Sequence, residues 1–262
     1  MDFLQAFVAE EVSERLAEVN RQFQAAALIG PRPDLWIPIL EDVVAGTIRP
    51  IPDTETLDLE PGAHDLVVHG LALHWANDPV GQLVQMRRAL RPDGLMIAAL
   101  FAGETLTELR TALAEAEIET LGGLSPRISP MGEIRDLGSL LQRAGFALPV
   151  ADSHRFDVSY PDAIELMRDL RGMGETNVLT ARHRRPMPRA MLARVAEIYA
   201  KHFARPDRGV AATFEVVFLT GWAPSADQPK PLRPGSAATR LADALGATEQ
   251  SAGEQAGKDG SD

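Results

Sequence analysis

The sequence predicts an α/β fold built on an open, mostly parallel sheet. Two apolar runs, at 65–73 and 95–101, have the continuous hydrophobicity of parallel strands that are covered on both faces. Between them, at 78–90, a helical pattern opens with an aspartate and a proline, as helices often do. This alternation of strand, helix and strand is typical of a sheet with helices packed on it.

The N-terminal part predicts a helix and then a first strand. Apolar residues recur at helical spacing from the start of the chain, and we expect this helix to end near Gln22. The segment 24–30 is short, apolar and closed by a glycine, which favours a buried strand. Pro31 and Pro33 argue against a helix directly after it. A second extended stretch is expected around 43–48.

Two strands near the C-terminus are separated by a long insertion. The segments 150–158 and 212–222 have the composition of strands, and we expect them to pair as an antiparallel hairpin at the edge of the sheet. The insertion at 160–205 contains two helical patterns, so it is expected to form a helical cap.

These elements predict one domain with two appendages. Residues 1–23 form the N-terminal helix, and residues 24–222 form the domain that carries the insertion. Residues 223–262 form a tail, with a short helical candidate at 236–246 and disorder expected after about 246.

Composition excludes several classes of function. With 37 acidic against 26 basic residues, the chain carries a formal charge of −11, so nucleic acid is a poor partner. The absence of cysteine excludes disulfides, thiolate metal sites and a cysteine nucleophile. The longest apolar stretch, 94–103, is far shorter than the roughly 20 residues of a membrane span, and the acidic start of the chain is unlike a signal peptide. We therefore expect a cytoplasmic protein.

The topology predicts where a ligand binds before any motif is considered. In open parallel sheets, ligands bind beyond the carboxyl ends of the strands. A glycine there allows the backbone to approach a nucleoside, and a carboxylate accepts hydrogen bonds from ribose hydroxyls or an adenine amine. The alternative is an ordinary turn with solvated carboxylates. The candidate residues at these positions are Leu28, Gly30, Asp53, Glu55, His69 and Gly70.

A second set of candidates concerns a substrate or a partner. Glu175 and Asn177 line the mouth of a substrate cleft or belong to a helix-terminating turn. Arg127 orients a carboxylate or an acidic partner, or lies in a loop that its prolines make rigid. His74 and Trp75 cover the ligand or pack as ordinary core residues.

A basic run at 182–189 stands out in this acidic chain. Its residues Arg184 and Arg185 suit a docking patch for an acidic partner, and a solvated charged face is the alternative. A metal site is not predicted, because His64 and His69 lie at opposite ends of one strand, roughly 16 Å apart at 3.3 Å per residue.

Several strings in order resemble the class I S-adenosylmethionine-dependent methyltransferases. More narrowly, they resemble the branch that contains the mitochondrial complex I assembly factor acting on an arginine, and more distantly the malonyl carrier methyltransferase of the biotin pathway. The strings are LHWANDP at 73–79, RALRPDG at 88–94, GETLTELR at 103–110, GGLSPRISP at 122–130, LLQRAGF at 140–146, DLRGMGETN at 169–177 and LTGWAP at 219–224.

This resemblance implies a Rossmann-like sheet of seven strands that binds S-adenosylmethionine. By position, Gly30 matches the end of the family's glycine-rich turn, Asp53 and Glu55 match an acidic pair near adenine, and His69 with Gly70 lies near the methyl group. The sequence GPRPD replaces the two or three glycines that the family has at this turn, and its prolines lack amide donors.

Two functions therefore stay open. The first is methyl transfer to a protein or small-molecule acceptor, with no general base identified. The alternative is a non-catalytic or arginine-hydroxylating assembly factor for respiratory complex I, in which cofactor binding is reduced or lost.

Overall fold

The computed structural model describes residues 2–206 and 209–228. The chain divides into two units, Met1–Ser225 and Ala226–Asp262, and the first contains all the elements given below. The helical candidate at 236–246 and the disorder expected after it lie outside the described residues.

The first unit is built on a six-stranded sheet in the order β2-β1-β3-β4-β6-β5. The first four strands in this order run parallel, whereas β6 pairs antiparallel with both β4 and β5. The mostly parallel sheet and its antiparallel edge hairpin are therefore confirmed. The strands are β1 (Phe23–Ile29), β2 (Val44–Ile51), β3 (His64–Gly70), β4 (Leu90–Ala102), β5 (Ala147–Tyr160) and β6 (Val210–Trp222).

The number of strands corrects the expectation of seven. The described residues contain six, because the link between β2 and β3 is only 52–63 and forms neither helix nor strand. The chain is thus short on the side of the sheet where the family resemblance implies the cofactor.

Helices cover both faces of this sheet. Apolar side chains of α1, α2, α4, α6 and α7 pack in one core, and those of α3 and α5 pack in the core on the other face. None of the described helices is long and apolar enough to cross a membrane. The helices are α1 (Phe3–Glu18), α2 (Pro33–Leu40), α3 (Pro79–Ala89), α4 (Thr107–Leu121), α5 (Ile134–Ala144), α6 (Ala163–Met173) and α7 (Arg189–His202).

Local sequence signals account for the central βαβ unit. Every residue of β3 is buried, as its continuous apolar run predicts. The side chain of Asp78 caps α3 by accepting a hydrogen bond of 2.8 Å from the backbone N–H of Gly81. Pro79 occupies the first turn, where its missing N–H costs no helical hydrogen bond.

Helix α2 overturns the prediction that Pro31 and Pro33 prevent a helix after β1. Pro33 lies at the first turn of α2, where the backbone N–H has no partner within the helix and proline is tolerated. Trp36 and Leu40 of α2 are buried, so packing against the core stabilises this short helix. Helix α1 also ends at Glu18, before the predicted Gln22.

The insertion between β5 and β6 forms the predicted helical cap. Helix α6 begins at an N-cap, Asp162, whose carboxylate accepts hydrogen bonds from the backbone of Ile164 and Glu165. Helices α6 and α7 both pack in the core that α4 shares. The cap therefore lies on the α4 side of the sheet.

Candidate functional site

The backbones of β1 and β3 meet closely at their carboxyl ends. The two strands are neighbours in the sheet, with Ile29 paired to His69. Gly30 has a φ of +150°, and a Cβ at this position would lie 2.7 Å from the carbonyl oxygen of Gly70. A side chain at position 30 would clash with Gly70, so the packing of the two strands requires glycine here whichever ligand the site holds.

An indole ring lies on Gly70, where the sequence predicts the cofactor. A Cβ added to Gly70 would lie 2.8 Å from Cε2 and Cζ2 of Trp36. The Trp36 side chain is 1% exposed, and its Nε1 donates a hydrogen bond of 2.8 Å to Oε1 of Gln5 in α1. Helices α1 and α2 together hold the ring over the end of β3.

Asp53 and His69 are joined by Gln82 of α3. The Gln82 amide nitrogen donates to Oδ1 of Asp53 and to the carbonyl of Thr54, both at 3.1 Å. Its oxygen therefore accepts from Nε2 of His69, at 3.2 Å. Burial acts to raise the pKa of Asp53, but the imidazole of His69 and the Gln82 amide outweigh it and lower that pKa. This arrangement keeps a partly buried carboxylate ionised without any ligand.

The remaining cofactor candidates also have partners within the protein. Oε1 of Glu55 accepts a hydrogen bond of 2.9 Å from the Asn77 side chain. Leu28 is buried in the core that also contains Trp36. Within residues 2–206 and 209–228, no three His, Asp or Glu side chains are grouped so as to hold a metal ion.

The residues at the strand ends do not fit S-adenosylmethionine. The ring of Trp36 lies on Gly70, where the methionyl or methyl part would approach. Pro31 and Pro33 provide no amide donors for its carboxylate. The cofactor-binding roles of the six candidates therefore stay predictions.

A cavity of about 350 Å³ lies elsewhere, between α4, the 127–131 loop and the cap. None of the six cofactor candidates lines it, whereas five of the seven substrate or partner candidates do. These five come from three segments that are far apart in the sequence. They are His74, Trp75, Arg127, Glu175 and Asn177.

A histidine–carboxylate pair forms part of the cavity wall. Nε2 of His74 lies 3.3 and 3.2 Å from the two carboxylate oxygens of Glu175, and both side chains are largely buried. Rings of Trp75 and Phe101 lie 5.2 Å from the His74 ring, centroid to centroid. The pair links the loop after β3 to the cap.

Arg127 is held by a buried carboxylate on α4. Its Nη2 donates a hydrogen bond of 2.6 Å to Oε1 of Glu117, which also accepts from the hydroxyl of Ser125 at 2.7 Å. Burial acts to raise the pKa of Glu117, but these hydrogen bonds outweigh it and lower the pKa to about 2. The Asn177 side chain donates to the carbonyl of Pro126 at 2.8 Å, which ties the cap to this loop.

The basic run reaches the cavity through residues that the sequence analysis did not select. Arg184 and Arg185 are exposed and do not line the cavity, whereas Arg182 and His183 do. Arg171 also lines it and was missed, although it lies within the DLRGMGETN string that carries the resemblance. No sequence signal marked Trp36 or Gln82.

Comparison with known proteins agrees with this architecture. Residues 49–98 match the model of the methyltransferase domain family. The chain is 37% identical over 263 residues, 92% of its own length and 82% of the relative's, to a protein of Danio rerio named "Arginine-hydroxylase NDUFAF5, mitochondrial". It is 37% identical over 174 residues, 66% of its length and 56% of the relative's, to the malonyl-[acyl-carrier protein] O-methyltransferase of Laribacter hongkongensis.

A solved protein of methyltransferase fold from Bacillus halodurans superposes with a TM-score of 0.50 at 12% identity, covering 81% of this chain and 98% of that protein. This likeness shows the shared fold. The cytoplasmic localisation expected from the sequence is wrong, because the relatives of high coverage are mitochondrial proteins. The extent of the match to the arginine hydroxylases, together with the match of residues 49–98, shows that this chain belongs to the methyltransferase family, in the branch of the mitochondrial proteins named arginine hydroxylases.

Proposed function

We propose that this chain acts as a client-binding assembly factor with a methyltransferase fold, rather than by transferring a methyl group at the strand ends. The observation that supports this most is the Trp36 ring on Gly70, held by a hydrogen bond to Gln5. The cavity beside the cap is open to a ligand, and it contains five residues predicted to meet a substrate or partner.

The first test measures whether the chain binds S-adenosylmethionine. Titration calorimetry and thermal unfolding are performed with S-adenosylmethionine up to millimolar concentration, beside a methyltransferase that binds it. A ligand at 100 times its dissociation constant would add about 2.7 kcal/mol of stability, or roughly 5–10 °C in Tm for a domain of this size. We expect no heat of binding and no shift. Saturable binding would restore methyl transfer as the leading function.

The basic run at 182–189 is proposed as the docking surface for the client. Arg184 and Arg185 are both exposed, on the segment that precedes α7. In a chain of net charge −11, such a local positive surface attracts an acidic partner. The negative charge of the rest of the chain repels the same partner, so contact is favoured at this surface. The resemblance to an assembly factor points to a subunit of respiratory complex I as the client.

A charge-reversal pull-down tests this surface. The Arg184→Glu, Arg185→Glu double variant is expected to lose the subunit that the wild-type chain retains. The matched control is Arg135→Glu, Arg143→Glu on α5, which reverses two exposed charges away from the cap. Equal retention by both double variants would contradict docking at the basic run.

Arginine modification is a second candidate function. Relatives that match 90–92% of this chain are named as arginine hydroxylases. Mass spectrometry tests this function on a client incubated with the wild-type chain, dioxygen and a two-electron reductant: one oxygen atom is expected to be added to an arginine, while the second oxygen atom is reduced to water. An unmodified client with the wild-type chain would exclude this function.

A further inference from the structure

Eight apolar side chains of one hydrophobic cluster line the cavity beside the cap, and they are called its apolar floor below. The floor is formed by side chains of α4, the 127–131 loop, α6 and the segment before α7, three of them flexible methionines. Such a surface favours an unbranched aliphatic group, because methionine side chains adapt to irregular apolar ligands. The apolar lining residues are Leu106, Leu109, Leu113, Ile128, Met131, Met167, Leu170 and Met187.

The polar part of the lining carries an excess of positive charge. Three guanidinium groups, those of Arg127, Arg171 and Arg182, line the cavity, and Glu175 is the one carboxylate among the described lining residues. The charge of Arg127 is paired with Glu117, which is not among the lining residues. Both oxygens of Glu175 already face Nε2 of His74, at 3.3 and 3.2 Å. The Glu175 carboxylate is therefore engaged with His74. The guanidinium groups of Arg171 and Arg182, which form no ion pair among the described residues, make the cavity electropositive within an acidic protein.

The three arginines have donors to spare. Arg127 uses Nη2 for Glu117, and its Nε is buried without a hydrogen-bond partner in the described structure. Arg182 donates from Nη1 to backbone carbonyls, the shorter bond being 2.8 Å to that of Leu179. Arg171 is exposed and forms no ion pair within residues 2–206 and 209–228. A buried guanidinium N–H without an acceptor is unfavourable, so an anionic ligand would lower the free energy of this site.

We propose that the cavity binds an aliphatic carboxylate, with its hydrocarbon chain on the apolar floor and its carboxylate among Arg127, Arg171 and Arg182. This inference names the ligand class of the cavity and rests on the proposed function, in which the cavity rather than the strand ends is the working site. The volume of about 350 Å³ lies at the lower end of the range of about 300–1,000 Å³ that is usual for small-molecule pockets. A single medium-length chain suits it.

Three probes of equal chain length separate the charge from the apolar contact. The whole chain is titrated calorimetrically at pH 7 with decanoate, decan-1-ol and decylammonium, each below its micelle concentration. Decanoate is expected to bind saturably and at least about fivefold more tightly than the alcohol, because one screened ion pair contributes about this factor to an affinity. Decylammonium is expected to bind more weakly than the alcohol, because the guanidinium groups of Arg171 and Arg182 repel it. Binding of decylammonium as tight as that of decanoate, or no binding of decanoate, overturns the proposal.

A matched pair of variants on α6 locates the carboxylate. Arg171→Gln removes a lining charge and is expected to weaken decanoate about fivefold while leaving decanol unchanged. Arg168→Gln removes a charge from the same helix, outside the cavity lining, and is expected to leave both affinities unchanged. Equal weakening of decanoate by both variants would show that general surface charge, rather than this site, is responsible.

Different results would overturn the proposed function and the ligand class of the cavity. Saturable S-adenosylmethionine binding would overturn the proposed function whatever the decanoate result. Absence of binding by both decanoate and S-adenosylmethionine would overturn only the ligand class assigned to the cavity.

Discussion

Replacing Trp36 by alanine removes the side chain that fills the space above Gly70. The indole is 1% exposed, and deletion of a fully buried tryptophan or phenylalanine costs about 3–5 kcal/mol. The variant also leaves Oε1 of Gln5 without its donor at 2.8 Å. Because these losses overlap, we expect the free energy of unfolding to fall by about 4 kcal/mol, or Tm by roughly 8–16 °C for a domain of this size.

Urea denaturation followed by far-UV circular dichroism measures this loss. Leu124→Ala is the control, since Leu124 is 69% exposed and its truncation is expected to cost less than about 0.5 kcal/mol. Indole at millimolar concentration is expected to restore part of the stability of Trp36→Ala by filling the apolar space. A loss below about 1 kcal/mol for Trp36→Ala would refute the packing of this ring at the strand ends.

Two further predictions concern buried polar groups. The pKa of Glu117 falls from 4.5 to about 2 on folding. Its ionised form with Arg127 therefore adds up to about 3 kcal/mol to the free energy of unfolding above pH 4.5, and this contribution is lost as the pH falls towards 2. Urea midpoints at pH 7, 4 and 3 are expected to converge for the wild type and Glu117→Gln, and a constant difference would contradict this. Gln82→Leu removes the acceptor for the buried His69 ring and is expected to cost about 2 kcal/mol in urea denaturation, whereas Gln142→Leu, at an exposed position, changes little. Equal stabilities of these two variants would remove the structural role assigned to Gln82.

Local sequence signals predicted those parts of the fold that short-range interactions determine. The continuous apolar run of β3 and the Asp78–Pro79 start of α3 are recognisable because strand burial and helix capping involve neighbouring residues. The helical cap was likewise recognisable from two amphipathic patterns.

Helix α2 could not be predicted in the same way. The sequence analysis interprets the prolines at its start as barriers, although Pro33 lies at the first turn, which accepts proline. What stabilises α2 is tertiary, since Trp36 packs on Gly70 and bonds to Gln5, which is 31 residues away in the sequence. Because the sequence does not predict α2, it could not show that the Trp36 side chain of this helix lies at the predicted cofactor position.

The candidate site was predicted in part. His74, Arg127 and Glu175 were selected separately, from the resemblance and from their residue types, and the fold brings them to one cavity. Their proximity depends on how the cap packs on α4, which no local pattern specifies. The excess of arginine in the lining was missed for the same reason, because Arg171 and Arg182 belong to different segments of the cap.

A crystal structure grown with millimolar S-adenosylhomocysteine tests most directly whether the protein fills its own strand-end crevice. We expect the Trp36 ring on Gly70, the Gln82 amide between His69 and Asp53, and no nucleoside density between them. Density for the nucleoside above Gly70, with the indole displaced from the glycine, would contradict the account.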